Sequence, residues 1–124
     1  MQLSKTLTLS EYPQAIAQLQ RQMVQLETQI KSLKEIVGYS LNEIDRRIAF
    51  DDTLKNDAQR KAKRSHLLET DGDYISAAAQ LRQQEIVRDN LAIELELMRS
   101  TFSVLKLERR AAIATLELHA TAAA

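Results

Sequence analysis

Three groups of residues carry side chains that could do chemistry. The first is basic: Lys55, Arg60, Lys61, Lys63 and Arg64 are opposed locally by Asp57 alone. On a helix, Arg60, Lys63 and Arg64 share one side by their i, i+3 and i+4 spacing, which leaves Ala58, Ala62 and Ser65 to face inward. Cations so placed can contact phosphates, so Arg60, Lys61, Lys63 and Arg64 are the candidate nucleic-acid contact. No aromatic residue interleaves them to stack on a base. A solvated basic face, with His66 near the negative end of the helix dipole, is the plainer reading.

The second group is His66, Glu69, Asp71 and Asp73. Zinc asks for several His or Cys ligands at fixed spacing, and one His stands here. Residues 72–78 have some likeness to the exit of a calcium-binding EF-hand loop, but Leu68 and Thr70 stand where carboxylates belong. Ala79 replaces the bidentate Glu and Asp73 the obligatory Gly. A connector between helices fits better, and no metal is expected. The third group is acidic. Glu94 and Glu96 point to different sides of a helix, and Glu85 and Asp89 share a face without the His of a di-metal motif. Nucleophile elbows, Walker loops and dinucleotide-binding glycine runs are absent from the chain. The expectation is a protein without catalytic residues or cofactor, and not an enzyme.

What remains is architecture. The chain has 124 residues, enough for one ordinary domain. Its two Gly and one Pro cannot punctuate a multi-stranded sheet, and the absence of Cys removes disulfide scaffolds and thiolate sites. Lys plus Arg number 17, as do Asp plus Glu, so bulk positive charge does not recruit nucleic acid. The composition predicts an all-α protein. Met1 to Leu9 lacks the apolar core of a signal peptide, and no apolar run approaches the roughly 20 residues of a membrane span. A cytoplasmic protein that does not enter membranes is expected.

Along the chain, residues 1–9 read as a flexible arm. Ser10 is the expected N-cap, and Pro13 is tolerated in the first turn. A long helix is predicted over about 11–50. Ile16, Leu19, Met23, Leu26, Ile30, Leu33 and Val37 alternate steps of three and four, as in a coiled-coil seam. At Ser40 the seam is expected to move to Leu41 and Ile48, rotating near Gly38. Asp51, Asp52, Thr53, Asn56 and Asp57 are poor helix-interior residues and predict a break over Phe50–Asp57. No Gly or Pro enforces it, so a continuous helix is the alternative. A short helix follows at about 58–69. Asp71-Gly72-Asp73 then reads as the clearest turn, with Gly72 left-handed and Asp73 capping a last long helix at about 74–118. Residues 10–119 form a single helical coiled-coil domain in this reading, and 120–124 fray.

The last helix carries two seams. One is Leu91, Leu95, Met98, Phe102, Leu105, Ala112 and Leu116. The other is Ile86, Ile93, Leu97, Val104, Leu107, Ala111 and Ala114. An elongated antiparallel hairpin folded about Gly72 would set Leu41 near Phe102, Ile48 near Leu95 and Ile30 near Ile113, over roughly 70 Å. Such a hairpin offers the last helix one partner. The second seam, with Ile86, Ile93, Leu97, Val104 and Leu107 as its interface residues, then needs another, because leaving a stripe of Leu and Ile wet is costly. Homo-oligomerisation into a helical bundle, with a dimer favoured, is the simplest answer; the folded-back short helix and an unidentified protein partner are the others.

Two stretches resemble a known class. Leu54-Lys55-Asn56-Asp57-Ala58-Gln59-Arg60-Lys61-Ala62, and Leu95-Glu96-Leu97-Met98-Arg99 followed by Phe102-Ser103-Val104-Leu105-Lys106, are similar to small coiled-coil accessory proteins of phages, prophages and mobile elements. The likeness covers roughly the C-terminal half and implies no catalytic residues. The expected function is that of a coiled-coil interaction protein acting as scaffold, adaptor or inhibitor. The alternatives are a DNA- or RNA-associated accessory using residues 60–64, and a structural subunit of a larger particle.

Overall fold

A computed structural model describes residues 6–123. Residues 1–5 of the arm read from the sequence lie outside this range. The described chain is all-α: a 3-10 turn, Leu9–Glu11, leads into α1, Tyr12–Ala49, then α2, Asp57–Thr70, and α3, Gly72–Ala123. Among the described residues no strand occurs, and no helix is long and apolar enough to cross a membrane.

Local chemistry accounts for each boundary. The helical run starts at Thr8 rather than at the expected Ser10. Glu11 reaches back, and its Oε1 accepts the Thr8 N–H at 2.9 Å and the Thr8 hydroxyl at 2.7 Å. The Glu11 N–H in turn donates to the Thr8 carbonyl. Thr-x-x-Glu is the spacing at which both ends of the turn satisfy each other, and an isolated Ser10 cannot compete with it. Beyond Ala49 the backbone leaves the helix, and Asp51 Oδ1 accepts both the N–H and the hydroxyl of Thr53. Asn56 then caps α2, its Oδ1 accepting the Gln59 N–H at 2.9 Å. The break over Phe50–Asp57 is therefore present, made by side chains that offer the backbone alternatives to helix.

The connection from α2 to α3 differs from the turn expected. Gly72 is the first residue of α3, and no described residue has a positive φ. Asp71, in extended conformation, is the whole linker. Its N–H donates to the Leu67 carbonyl at 2.7 Å, closing α2, and its Oδ1 accepts the Tyr74 N–H at 2.9 Å, opening α3. Asp71 therefore performs the capping assigned to Asp73, since only a residue outside the helix can direct its side chain at the N–H three positions on. At its other end α3 continues past Leu118 to Ala123, where the alanines carry helix propensity rather than fraying it.

The chain divides into two compact units. Unit 2 is Gln25–Arg88. In it the second half of α1 runs antiparallel to the start of α3: Arg47 pairs with Asp71 at 3.4 Å, and a groove is lined by Leu33, Ile36 and Ser40 on one side and Ala77 and Gln80 on the other. The core is Leu26, Ile30, Ile48, Ala77 and Ile44, the last fully buried. Ser40 stays in the buried seam, so the stripe does not move wholly to Leu41. No residue of α2 is buried; Arg64 ties it to α1 through Asp45 at 2.8 Å.

Unit 1 comprises the chain up to Val24 together with Asp89 onward. Tyr12 and Leu19 of α1 are buried with Leu91 and Leu95 of α3, and the Tyr12 and Phe102 rings stack at 5.7 Å with 12° between their planes. These contacts correct the expected register. Phe102 meets Tyr12, not Leu41, and Arg88 rather than Ile113 shares a groove with Ile30. The expectation placed the chain reversal at Gly72. The reversal instead occupies the whole stretch from Phe50 to Asp71, so α3 starts against the end of α1.

Candidate interaction surface

The five residues assigned to the second seam of α3 lie on the outside. In unit 2, Ile86 is 48% exposed; in unit 1, Ile93 is 68%, Leu97 54%, Val104 52% and Leu107 62% exposed. The first seam is the one that packs. Leu91 and Leu95 are buried, and Met98, Phe102 and Leu105 are half-buried. The two seams are offset by two residues along one helix. That offset turns them roughly 200° apart, so α3 cannot bury both against α1.

Past Phe102 the first seam also loses its cover. From Ser103 to Ala123 every residue is exposed except the half-buried Leu105, and Leu116, Ile113 and Leu118 join the apolar surface. The sequence reading missed these three as surface residues because it set Ile113 opposite Ile30. Lys106 folds back, with its ammonium 4.5 Å from the centre of the Phe102 ring. A second apolar exposure, Ile36 and Tyr39 beside the unit 2 groove, also escaped the sequence reading, because both lie off the heptad seam.

The basic set of α2 is split rather than gathered. Arg60 pairs with Asp57 at 2.6 Å and Arg64 with Asp45 at 2.8 Å, and both are half-buried. Lys61 and Lys63 are exposed. Ala58, Ala62 and Ser65, expected to face inward, are exposed too; the half-buried line is Arg60, Arg64, Leu67 and Leu68. The two leucines fix which side of α2 turns inward, and the arginines follow at i−3, i−4 and i−7.

The acidic residues form no ligand set. Among the described residues no group of three or more His, Asp or Glu could hold a metal ion. Asp71 is engaged with Arg47 and the Tyr74 N–H, and Glu85 approaches Arg88 at 4.0 Å. Glu94 and Glu96 do diverge: Glu94 is buried, with its Oε2 lacking any hydrogen-bond partner, and Glu96 is exposed. The two hydrogen bonds from Thr53, first from its hydroxyl and then from its N–H, hold the Asp51 carboxyl below its ordinary value. Compared with protein-family models, curated proteins and solved structures, the chain finds no match.

Proposed function

We propose that this chain is a non-enzymatic coiled-coil interaction protein, a scaffold, adaptor or inhibitor, and that its working surface is the outer seam of α3. One observation carries the reading. Ile93, Leu97, Val104 and Leu107 recur at coiled-coil spacing on one helix and are all more than half exposed. Burying one such side chain contributes about 1.5–3 kcal/mol, so a partner helix laid along the stripe gains several-fold that amount before association costs. Scattered single leucines would carry no such meaning; a periodic stripe of them does.

Leu97→Gln with Leu107→Gln tests this reading. Both sites are exposed, so the fold is expected to persist by circular dichroism while self-association or capture by a partner is lost. Undiminished association would refute it. The nucleic-acid reading is the weaker one, because Arg60 and Arg64 already have carboxylate partners. Its measurement is DNA binding at two salt concentrations with Lys61→Ala and Lys63→Ala.

A further inference from the structure

We infer that the occupant of the outer seam is a second copy of this chain, laid antiparallel so that Leu97 meets Leu107 and Glu96 meets Arg110. This rests on the reading of that seam as an interaction surface and names its partner and register.

Within unit 1 the seam steps through Ile93, Leu97, Ser100, Val104, Leu107 and Ala111, alternating four and three. All six are exposed. Large and small residues are distributed unevenly along it, and that unevenness selects a pairing. Two antiparallel copies centred near Phe102 form the layers Leu97 with Leu107, Val104 with Ser100, and Ile93 with Ala111, each occurring twice by the two-fold axis. Small residues then receive large ones. A parallel pair in register sets Ser100 on Ser100 and Ala111 on Ala111, which leaves gaps.

Charge selects the same register. Glu96, Ser103 and Arg110 run along one flank of the seam, and all three are exposed. The antiparallel pair places Glu96 beside Arg110 of the second copy, twice, and Ser103 beside Ser103. A slip of seven residues one way brings Glu96 to Glu117, a like-charge contact. The same slip the other way buries Asn90 against Leu107. A parallel pair sets Glu96 opposite Thr101 and Arg110 opposite Thr115, with no ion pair. On the other flank Glu108 approaches Glu94 of the second copy, but the Glu94 side chain is buried within its own unit.

The test combines charge reversal with cross-linking in the full chain. Glu96→Arg and Arg110→Glu each turn two attractive contacts repulsive, and each is expected to weaken dimerisation about tenfold. The double variant is expected to return within about threefold of the original. The chain has no Cys, so Ser103→Cys supplies one thiol per copy. Mild oxidation is expected to link it into a dimer, whereas a parallel pair holds the two substituted positions on opposite flanks. A chain that is monomeric at 100 µM overturns the inference, as does a dimer indifferent to both single reversals or a double variant no better than either. Leu97→Gln with Leu107→Gln separates the two levels. If that variant abolishes association while charge reversal and cross-linking have no effect, the register fails and the surface stands. If association survives it, both fail.

Discussion

Tyr12 stacks nearly parallel on Phe102, at 5.7 Å between ring centres, and this contact sets the register of unit 1. Tyr12 is the first residue of α1, so Phe102 is where α3 stops having α1 beside it. The loss of cover from Ser103 onward follows directly. Phe102→Ala removes the ring that Tyr12 and Lys106 both contact. It is expected to lower stability by about 2–3 kcal/mol in urea unfolding, since the ring is half-buried rather than fully enclosed. A loss under 0.5 kcal/mol, on the order of a plain surface change, would contradict the stacking.

Gly38 lies inside α1, and a Cβ built on it has no neighbour within 4 Å. Nothing in the packing requires glycine there. Gly38→Ala is expected to raise stability by about 0.5–1 kcal/mol, because alanine restricts the unfolded chain and fills open space. A destabilised variant in thermal unfolding would show that the helix bends or packs at this point.

Glu94 is buried with one carboxylate oxygen unpartnered. An unpaired buried polar oxygen opposes folding, and an apolar side chain of similar reach removes that penalty. Glu94→Leu is expected to stabilise unit 1 by about 1–2 kcal/mol. A net loss of stability in denaturant titration would mean that the carboxylate is satisfied in solution.

Asp51 accepts two hydrogen bonds from Thr53, which lower its pKa from the ordinary 3.8. Because folding lowers this pKa, the associated stabilisation is full above the unfolded value and is lost as pH falls through the folded one. Thr53→Val deletes the hydroxyl bond, the larger cause. In NMR titration the Asp51 carboxyl is then expected to move up toward 3.8. An unchanged titration would show that the loop does not hold this turn.

The helices themselves were legible because each has a local cause. Apolar spacing marks α1 and α3, and the Asp, Asn and Thr between them mark the break. The two seams of α3, and which of them faces outward, also followed from periodicity and the single partner a hairpin offers. The register did not. It depends on which segment reverses the chain: Gly72 is the strongest turn signal in the sequence, yet Asp71 links two helices without any left-handed residue. The inward side of α2 is hard to read for a related reason: Ala58 and Ala62 are small enough to bury, but Leu67 and Leu68 have more apolar surface to hide, and they carry Arg60 and Arg64 inward with them.

In the dimer we propose, the outer seam of α3 binds the same seam of another copy. Light scattering on a peak that elutes at 100 µM reads the number of chains. The expected result is twice the chain mass of 14.1 kDa, falling to the single-chain value in Leu97→Gln with Leu107→Gln. A wild-type chain that elutes at 14.1 kDa, or a dimer that survives those two substitutions, would contradict it.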